Sequence, residues 1–355
     1  NYQGIVKNNF KSGLRFAIGL FGIGFLKNAL KFIPGIDASV YTKDSEEELY
    51  VELVPSFLGF FNSHWEIRER MVKTFAELGV TVRSMHAPFI EDGKVYQTYR
   101  KSYLDNVFDL TKYDSTTWFC LYSHIHLYEM IAEKKQDKVI VVHPLPADPN
   151  KSEKEVITSI IKNVKKVIPM LQDQNVKLVI ENMPWLKGKH VRYSTLLGDA
   201  LFFEKLMDGI NNEYVGVLFD WGHANSYARF MYEYGVKHPE HEFTQSSLAK
   251  FEYQQYFIKR LKEKLYYAHL NFNEAHVLDA NAPLHAKNFD SHSDLTNISE
   301  AEYPLYKRNI KELQKLPHLI GMTIETIPSY FSRKNRIQRY KDSIEILNSM
   351  LQSQS

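Results

Sequence analysis

Residues 215–223 read VGVLFDWGH, a buried-looking run of apolar residues that ends abruptly in Asp220, with His223 three positions later. Working outward, the same design recurs along the chain. Short apolar runs end in His86 (TVRSMHAPF), His143 (VIVVHPLP), Glu181 (VKLVIENMP), His269 (LYYAHLNFN) and Glu325 (GMTIETIP). The intervals are roughly forty to sixty residues, about the length of one strand, one helix and their loops. The runs lack polar alternation, as in strands buried on both faces. A ligand-type side chain at the C-terminal end of strand after strand predicts a closed ring of parallel strands with a metal site at its top face.

Between these strands the pattern alternates helix and strand almost throughout. Predicted strands are Leu14–Leu20, Tyr50–Val54, Val80–Met85, Lys138–Val142, Val176–Ile180, Val215–Phe219, Leu265–Leu270 and Leu319–Ile324. Helices are predicted near Leu26–Phe32, His64–Leu78, Ser152–Gln172, Leu196–Met207, Ala301–Lys315 and Asn335–Leu351. Two longer aromatic-rich segments, Tyr99–Lys135 and Asn225–Lys264, each read as two helices; Asn271–Ser299 reads as irregular. Eight strand–helix pairs predict an α/β fold, a (β/α)8 TIM barrel with extra helical insertions. An open doubly wound sheet would also alternate. It would not bring ligands from opposite edges to one point, and no Gly-x-Gly-x-x-Gly follows an early strand. With no linker or composition break, one domain over 1–355 is expected.

The 355 residues are 44% hydrophobic, enough for a large core, and carry a net charge of only +2, which points to neither nucleic acid nor an anionic membrane. The one cysteine, Cys120, cannot form an internal disulfide, so a reducing, cytoplasmic setting is expected, with Cys120 a small core residue. No apolar run reaches the ~18 residues of a membrane span. The nearest, residues 14–32, carries Lys27 and Lys31.

Carboxylates with imidazole suit a divalent ion such as Zn, Mn, Mg, Co or Fe. Buried carboxylates are costly unless paired or metal-bound, and Glu181, Asp220, His269 and Glu325 in sequence are hard to explain as packing. His223 can reach the site of Asp220, and His86 and His143 leave their strand ends through prolines. Asp290 and His292 form a further Asp-x-His pair; Asp279 and His285 are the alternative in the same segment. His124 and His126 read as structural or surface residues. His64, His190, His238, His241, His276 and His318 lack a second ligand at useful spacing. The basic run 333–339 reads as the solvated start of the last helix; a phosphate near the top face is its alternative role.

The ordered set SMHAPF, VVHPLP, VIENMP, FDWGHAN, AHLN, DSH and TIET resembles the xylose isomerase-like TIM barrel superfamily, from about Leu14 to Leu347. That group includes sugar and sugar-phosphate isomerases and epimerases and the endonuclease IV family of apurinic-site nucleases. The resemblance implies two readings. In the isomerases one metal is held by a Glu, Asp, His, Glu set, here Glu181, Asp220, His269 and Glu325. Proton transfer then passes through a metal-stabilised enediolate, with Glu181 and Glu325 exchanging the proton and His223 holding a substrate oxygen. His86, Trp185 and Trp221 would contact the substrate, with Phe89 beside them. In endonuclease IV three zinc ions are held by a larger set, here His86, His143, Glu181, Asp220, His223, His269, Asp290, His292 and Glu325, and DNA with an abasic site is the substrate.

Departures from the nuclease pattern favour the sugar branch. Glu181-Asn-Met-Pro stands where that family has Glu-Thr-Thr-Ala-Gly, Asp220-Trp-Gly-His223 where it has Asp-Thr-x-His, and Asn271-Phe-Asn273 where it has Asn-Asp-Ser. A DNA groove also needs concentrated basic loops, which the sequence lacks. The expected cofactor is one to three divalent ions (Zn, Mn, Mg or Co). The expected partner is a small sugar or sugar phosphate, with no membrane and a homo-oligomer left open.

Overall fold

The computed structural model describes residues 36–42, 50–53, 55, 60–61, 66–76, 81–87, 110–113, 115–131, 138–144, 151–184, 186–187, 195–233, 249–272, 278–279, 295–325 and 333–351. Eight strands close a ring: β1 (Ile36–Thr42), β2 (Tyr50–Leu53), β3 (Thr81–His86), β4 (Lys138–Val142), β5 (Val176–Glu181), β7 (Val215–Asp220), β8 (Leu265–Leu270) and β10 (Gly321–Ile324). Two further strands of two residues each, β6 (Leu186–Lys187) and β9 (Leu278–Asp279), pair in parallel. They lie just beyond the C-terminal ends of β5 and β8, so they join two loops that leave the top face.

Seven of the ring strands, β2, β3, β4, β5, β7, β8 and β10, run parallel to one another. Helices make the crossovers that parallel pairing requires: α1 (Glu69–Ala76), α2 (Ser115–Ile131), α3 (Glu153–Asp173), α4 (Ala200–Ile210), α5 (Trp221–Glu233), α6 (Ala249–Leu261) and α7 (Tyr303–Gln314), with α8 (Arg333–Leu351) after β10. The eighth place differs from the sequence expectation. It is filled by β1, which pairs antiparallel with both β2 and β10. Seven residues separate β1 from β2, too few for a helical crossover, so the second strand must fold back on the first. The predicted strand Leu14–Leu20 and helix Leu26–Phe32 lie outside the described residues.

Local chemistry sets the element ends. Helix α3 opens with a capping box: Ser152 Oγ accepts from the Glu155 amide, and the Glu155 carboxylate accepts from the Ser152 amide. Asn175 and Asn211 take left-handed backbone conformations at the turns into β5 and β7, where asparagine is tolerated.

Strand periodicity sorts the side chains. Val139, Val141, Val179, Leu218 and Tyr267 form one buried cluster inside the ring. Alternate positions such as Ile140, Val142, Leu178, Ile180, Val217 and Phe219 join the larger core beneath the helices. Continuing the inward positions two residues further reaches His143, Glu181, Asp220 and His269. The barrel interior is therefore ionisable at the C-terminal end, and below it apolar on the β4, β5 and β7 side and polar where Glu52, Ser84, Tyr267 and Thr323 meet.

Gly216 lies two residues below Leu218 on this inward register. A Cβ there would lie 2.5 Å from the Tyr266 ring and 2.9 Å from the Lys264 carbonyl oxygen, and backbone cannot move aside cheaply. Gly216→Ala is expected to destabilise the fold by about 1–3 kcal/mol through overpacking, read as a lower urea midpoint with an unchanged m-value.

Candidate metal centre

Six ring strands each deliver a polar side chain to the C-terminal mouth. His86, Glu181, Asp220 and His269 are strand-terminal residues, and His143 and Glu325 each directly follow a strand. All are buried except Glu325, which is 16% exposed and stands at the mouth. The ligand atoms fall into two groups that share Glu181: His86, His143 and Glu181, and Glu181, Asp220, His269 and Glu325. Within each group the atoms lie within 4.8 Å of one another.

Glu181 is the hub. Its Oε2 lies 3.2 Å from His86 Nε2 and 3.0 Å from His143 Nε2. Its Oε1 lies 3.3 Å from His223 Nδ1 and 3.5 Å from His269 Nδ1. Glu325 Oε2 approaches His269 Nδ1 at 3.1 Å, and Asp220 Oδ2 lies 4.0 Å from the same nitrogen.

Burial alone would raise the pKa of the Glu181 carboxyl, but the surrounding imidazoles, His143 first, hold it well below the usual carboxylate range. Burial pulls His269 down, yet the charges of Glu52 and Glu325, and the nearby Glu181 carboxylate, leave it well above an ordinary histidine. His86 is raised in the same way, burial being outweighed by Glu181. His143 is lowered, because burial there outweighs Glu181.

Backbone and amide contacts fix the carboxylates and rings. Asp220 caps α5: its Oδ1 accepts from the His223 amide at 2.6 Å, while Oδ2 accepts from Asn271 Nδ2 at 2.8 Å. Asn182 clamps the ends of β5 and β7, accepting from the Asp220 amide at 2.7 Å and donating to the Asp220 carbonyl at 3.1 Å. Nδ1 of His86 donates to the Ala87 carbonyl at 2.7 Å, and Nδ1 of His223 to the Asn182 carbonyl at 2.7 Å. A carbonyl only accepts, so each Nδ1 carries a proton, leaving Nε2 as the nitrogen for an ion or substrate. Histidine ligands are commonly held this way.

These residues fit a divalent cation. Glu181 Oε1 and His269 Nδ1 are buried, face each other and make no hydrogen bond. An ionised oxygen in that state is costly unless a cation lies beside it. Two ligands about 2.1 Å from a common ion at tetrahedral or octahedral angles stand about 3.0–3.4 Å apart. The His–carboxylate contacts of 3.0, 3.1 and 3.2 Å have that spacing.

Seven of the nine ligand positions read from the sequence thus converge: His86, His143, Glu181, Asp220, His223, His269 and Glu325. Asp290, His292, His285, Trp185 and Phe89 lie outside the described residues, as does the side chain of Asp279. Trp221 is not brought to the cluster. It is buried in the barrel wall, stacked on Tyr306 with ring centroids 4.8 Å apart, because α5 starts at once after Asp220 and turns the next residue into the helix layer. His124 is buried, donates from Nδ1 to the Cys120 carbonyl, and is pushed down to about 4 by burial. His126 is exposed beside Glu129. His318 is exposed beside Glu263, and the other solitary histidines lie outside the described residues. Sequence reading passed over Asn182 and Asn271, whose neighbours Glu181 and His269 drew the attention, and Glu52 in the middle of β2.

Residues 50–350 match the model of the xylose isomerase-like TIM barrel family. The chain belongs to this family. Solved structures share the xylose isomerase-like barrel at low identity. A D-tagatose 3-epimerase-like protein has a TM-score of 0.50 at 17% identity, covering 80% of this chain and 83% of its own. A xylose isomerase domain protein from Alicyclobacillus acidocaldarius has 0.51 at 12%, covering 92% and 93%. D-psicose 3-epimerase from Clostridium cellulolyticum H10, solved with D-tagatose, has 0.50 at 10%, covering 93% and 94%. No curated protein matches the chain by sequence. Among the described residues, no helix of this barrel is long and apolar enough to cross a membrane.

Ions displace protons from ligands whose pKa values are raised, so affinity should rise with pH. His269, raised by the charges of Glu52 and Glu325, is the ligand from which an ion would displace a proton. Calorimetric titration of Co2+ in two buffers of different ionisation enthalpy should show release of roughly one proton or more per ion. Binding with no proton release would contradict this arrangement.

Proposed function

We propose that the chain is a divalent-metal-dependent isomerase or epimerase acting on a small sugar or sugar phosphate. The observation that carries this reading is the pairing of two carboxylates, Glu181 and Glu325, around the same histidine, one sealed in the barrel and one at its mouth. The ion would be held by Glu181, Asp220, His269 and Glu325. When bound, it would polarise adjacent substrate oxygens and stabilise the negative charge that develops as a carbon-bound proton leaves.

The remaining roles fall to the protein. Glu325, partly exposed, takes or returns a proton at its carboxylate oxygen on the open side. Glu181 does so from the buried side, its charge kept by the surrounding imidazoles. The Nε2 of His223 is left to hold a substrate oxygen, since Nδ1 is committed to the Asn182 carbonyl. His86, next to Glu181, completes the polar wall. Structural neighbours named for ketoses, D-tagatose and D-psicose, make a ketose the substrate class to test first. The ketose reading calls for no basic groove, and the chain's net charge of +2 offers none at the scale of the whole molecule.

The test is solvent exchange. In D2O with Mn2+ or Co2+, the protein should place deuterium on the carbon next to the carbonyl of a ketose such as D-tagatose or D-fructose. A chelator should stop it. Glu325→Gln should slow exchange by roughly 10²–10⁴-fold, the usual worth of a positioned acid or base, with metal content measured in parallel. Nicking of abasic-site DNA by protein holding three zinc ions, with no exchange into any ketose, would overturn the proposal.

A further inference from the structure

Glu52 is a carboxylate in the middle of a barrel strand, 1% exposed and facing the barrel interior. Nothing in the proposed proton transfer uses it. Its Oε1 lies 3.0 Å from Nε2 of His269, the side of that ring turned away from Glu181, Asp220 and Glu325. Its Oε2 accepts a short hydrogen bond from Ser84 Oγ, its register partner on β3. Ser84 Oγ is also 3.1 Å from Tyr267 Oη, which is 2.9 Å from Thr323 Oγ1.

Proton counting gives this chain of contacts a direction. Ser84 has one hydroxyl proton, and the charged acceptor takes it. The Ser84–Tyr267 contact then needs the tyrosine proton, and the Tyr267–Thr323 contact needs the threonine proton. Every hydroxyl donates toward Glu52, which acts as acceptor to the whole chain. Its remaining oxygen lies 3.0 Å from His269 Nε2, a charge contact without hydrogen-bond alignment, so the field of Glu52 favours the proton of the neutral ring on Nε2. That places the lone pair on Nδ1, the nitrogen that faces Glu181, Asp220 and Glu325.

We infer that Glu52, held by the Ser84–Tyr267–Thr323 hydroxyl chain, is the positioning residue that fixes the tautomer and orientation of His269 for metal binding. The inference rests on the metal reading of the site above. A carboxylate behind a histidine ligand sets its tautomer and raises its basicity, and losing such a partner typically weakens metal binding 10–100-fold. A purely structural role would instead lower the stability of the metal-free protein and leave the affinity of the folded fraction alone.

The experiment is Co2+ titration of metal-free protein, followed by visible absorption, at a pH where wild-type affinity has levelled off. Glu52→Gln keeps the volume and should bind about 10–100-fold more weakly, while near-UV circular dichroism of the metal-free protein stays native. Glu52→Asp should recover part of the loss. Unchanged affinity in folded Glu52→Gln, with normal wild-type binding, overturns the inference and leaves the metal reading standing. A wild type that binds no divalent ion sinks both. If Glu52→Gln does not fold, Ser84→Ala decides. It frees the carboxylate from its anchor and should weaken Co2+ binding in the same direction; unchanged binding in Ser84→Ala counts against the role.

Discussion

A carboxylate sealed at the end of a barrel strand and faced by four imidazoles is the constraint on which this architecture rests. Glu181 is 1% exposed, with His86, His143, His223 and His269 each within 3.5 Å of one of its oxygens. Desolvating one carboxylate in that position would cost several kcal/mol without compensation. The histidines compensate when protonated, and a cation does so when they are neutral. Either state demands that four strands end at the same height, so the register of β3, β4, β5 and β8 is tied to the electrostatics of the mouth. The buried layer below, apolar at Val141, Val179 and Leu218 and hydrogen-bonded at Glu52, Ser84, Tyr267 and Thr323, keeps bulk water from screening those charges from beneath.

The arrangement separates support from chemistry by depth. Amide side chains work at the rim: Asn182 ties two strand ends together, and Asn271 and the start of α5 each occupy one oxygen of Asp220. Asp220 is thereby bonded at both carboxylate oxygens. Glu325 is the only one of the six strand-end ligand residues with appreciable exposure. Such a gradient from fixed to open is what proton transfer to a small substrate needs. In the proposed reaction the buried groups would set the field without reorganising, and the exposed one would meet the substrate.

Most of the barrel was legible in the sequence because parallel strands buried on both faces leave an unbroken apolar run with a polar stop. Lys138–Val142 and Leu265–Leu270 were bounded to the residue, and the others within a few residues. The ring's eighth member was not. Ile36–Thr42 mixes polar and apolar positions and carries no strand-end ligand, and its antiparallel hairpin with β2 breaks the repeat that made the others visible. Trp221 shows the opposite failure. The family resemblance implies a place at the substrate for Trp221, but the strand passes into a helix with no intervening loop, and one residue is enough to turn the side chain away.

Glu52 shows where strand-end reasoning stops. The run YVELV carries its carboxylate in the interior of the strand, where a polar residue reads as the solvent-facing half of an alternating pattern. In a closed barrel wrapped by helices a strand position looks into the barrel or under the helices, and Glu52 looks inward. A carboxylate on either face needs partners. Once the ring is known to close, the charge itself predicts them: a donor chain on one side and a histidine on the other. Tertiary closure therefore turns an unremarkable residue of the sequence into a constraint on the candidate metal centre, and His269 is held from both sides, by the carboxylates that would share its ion and by the one that would orient its ring.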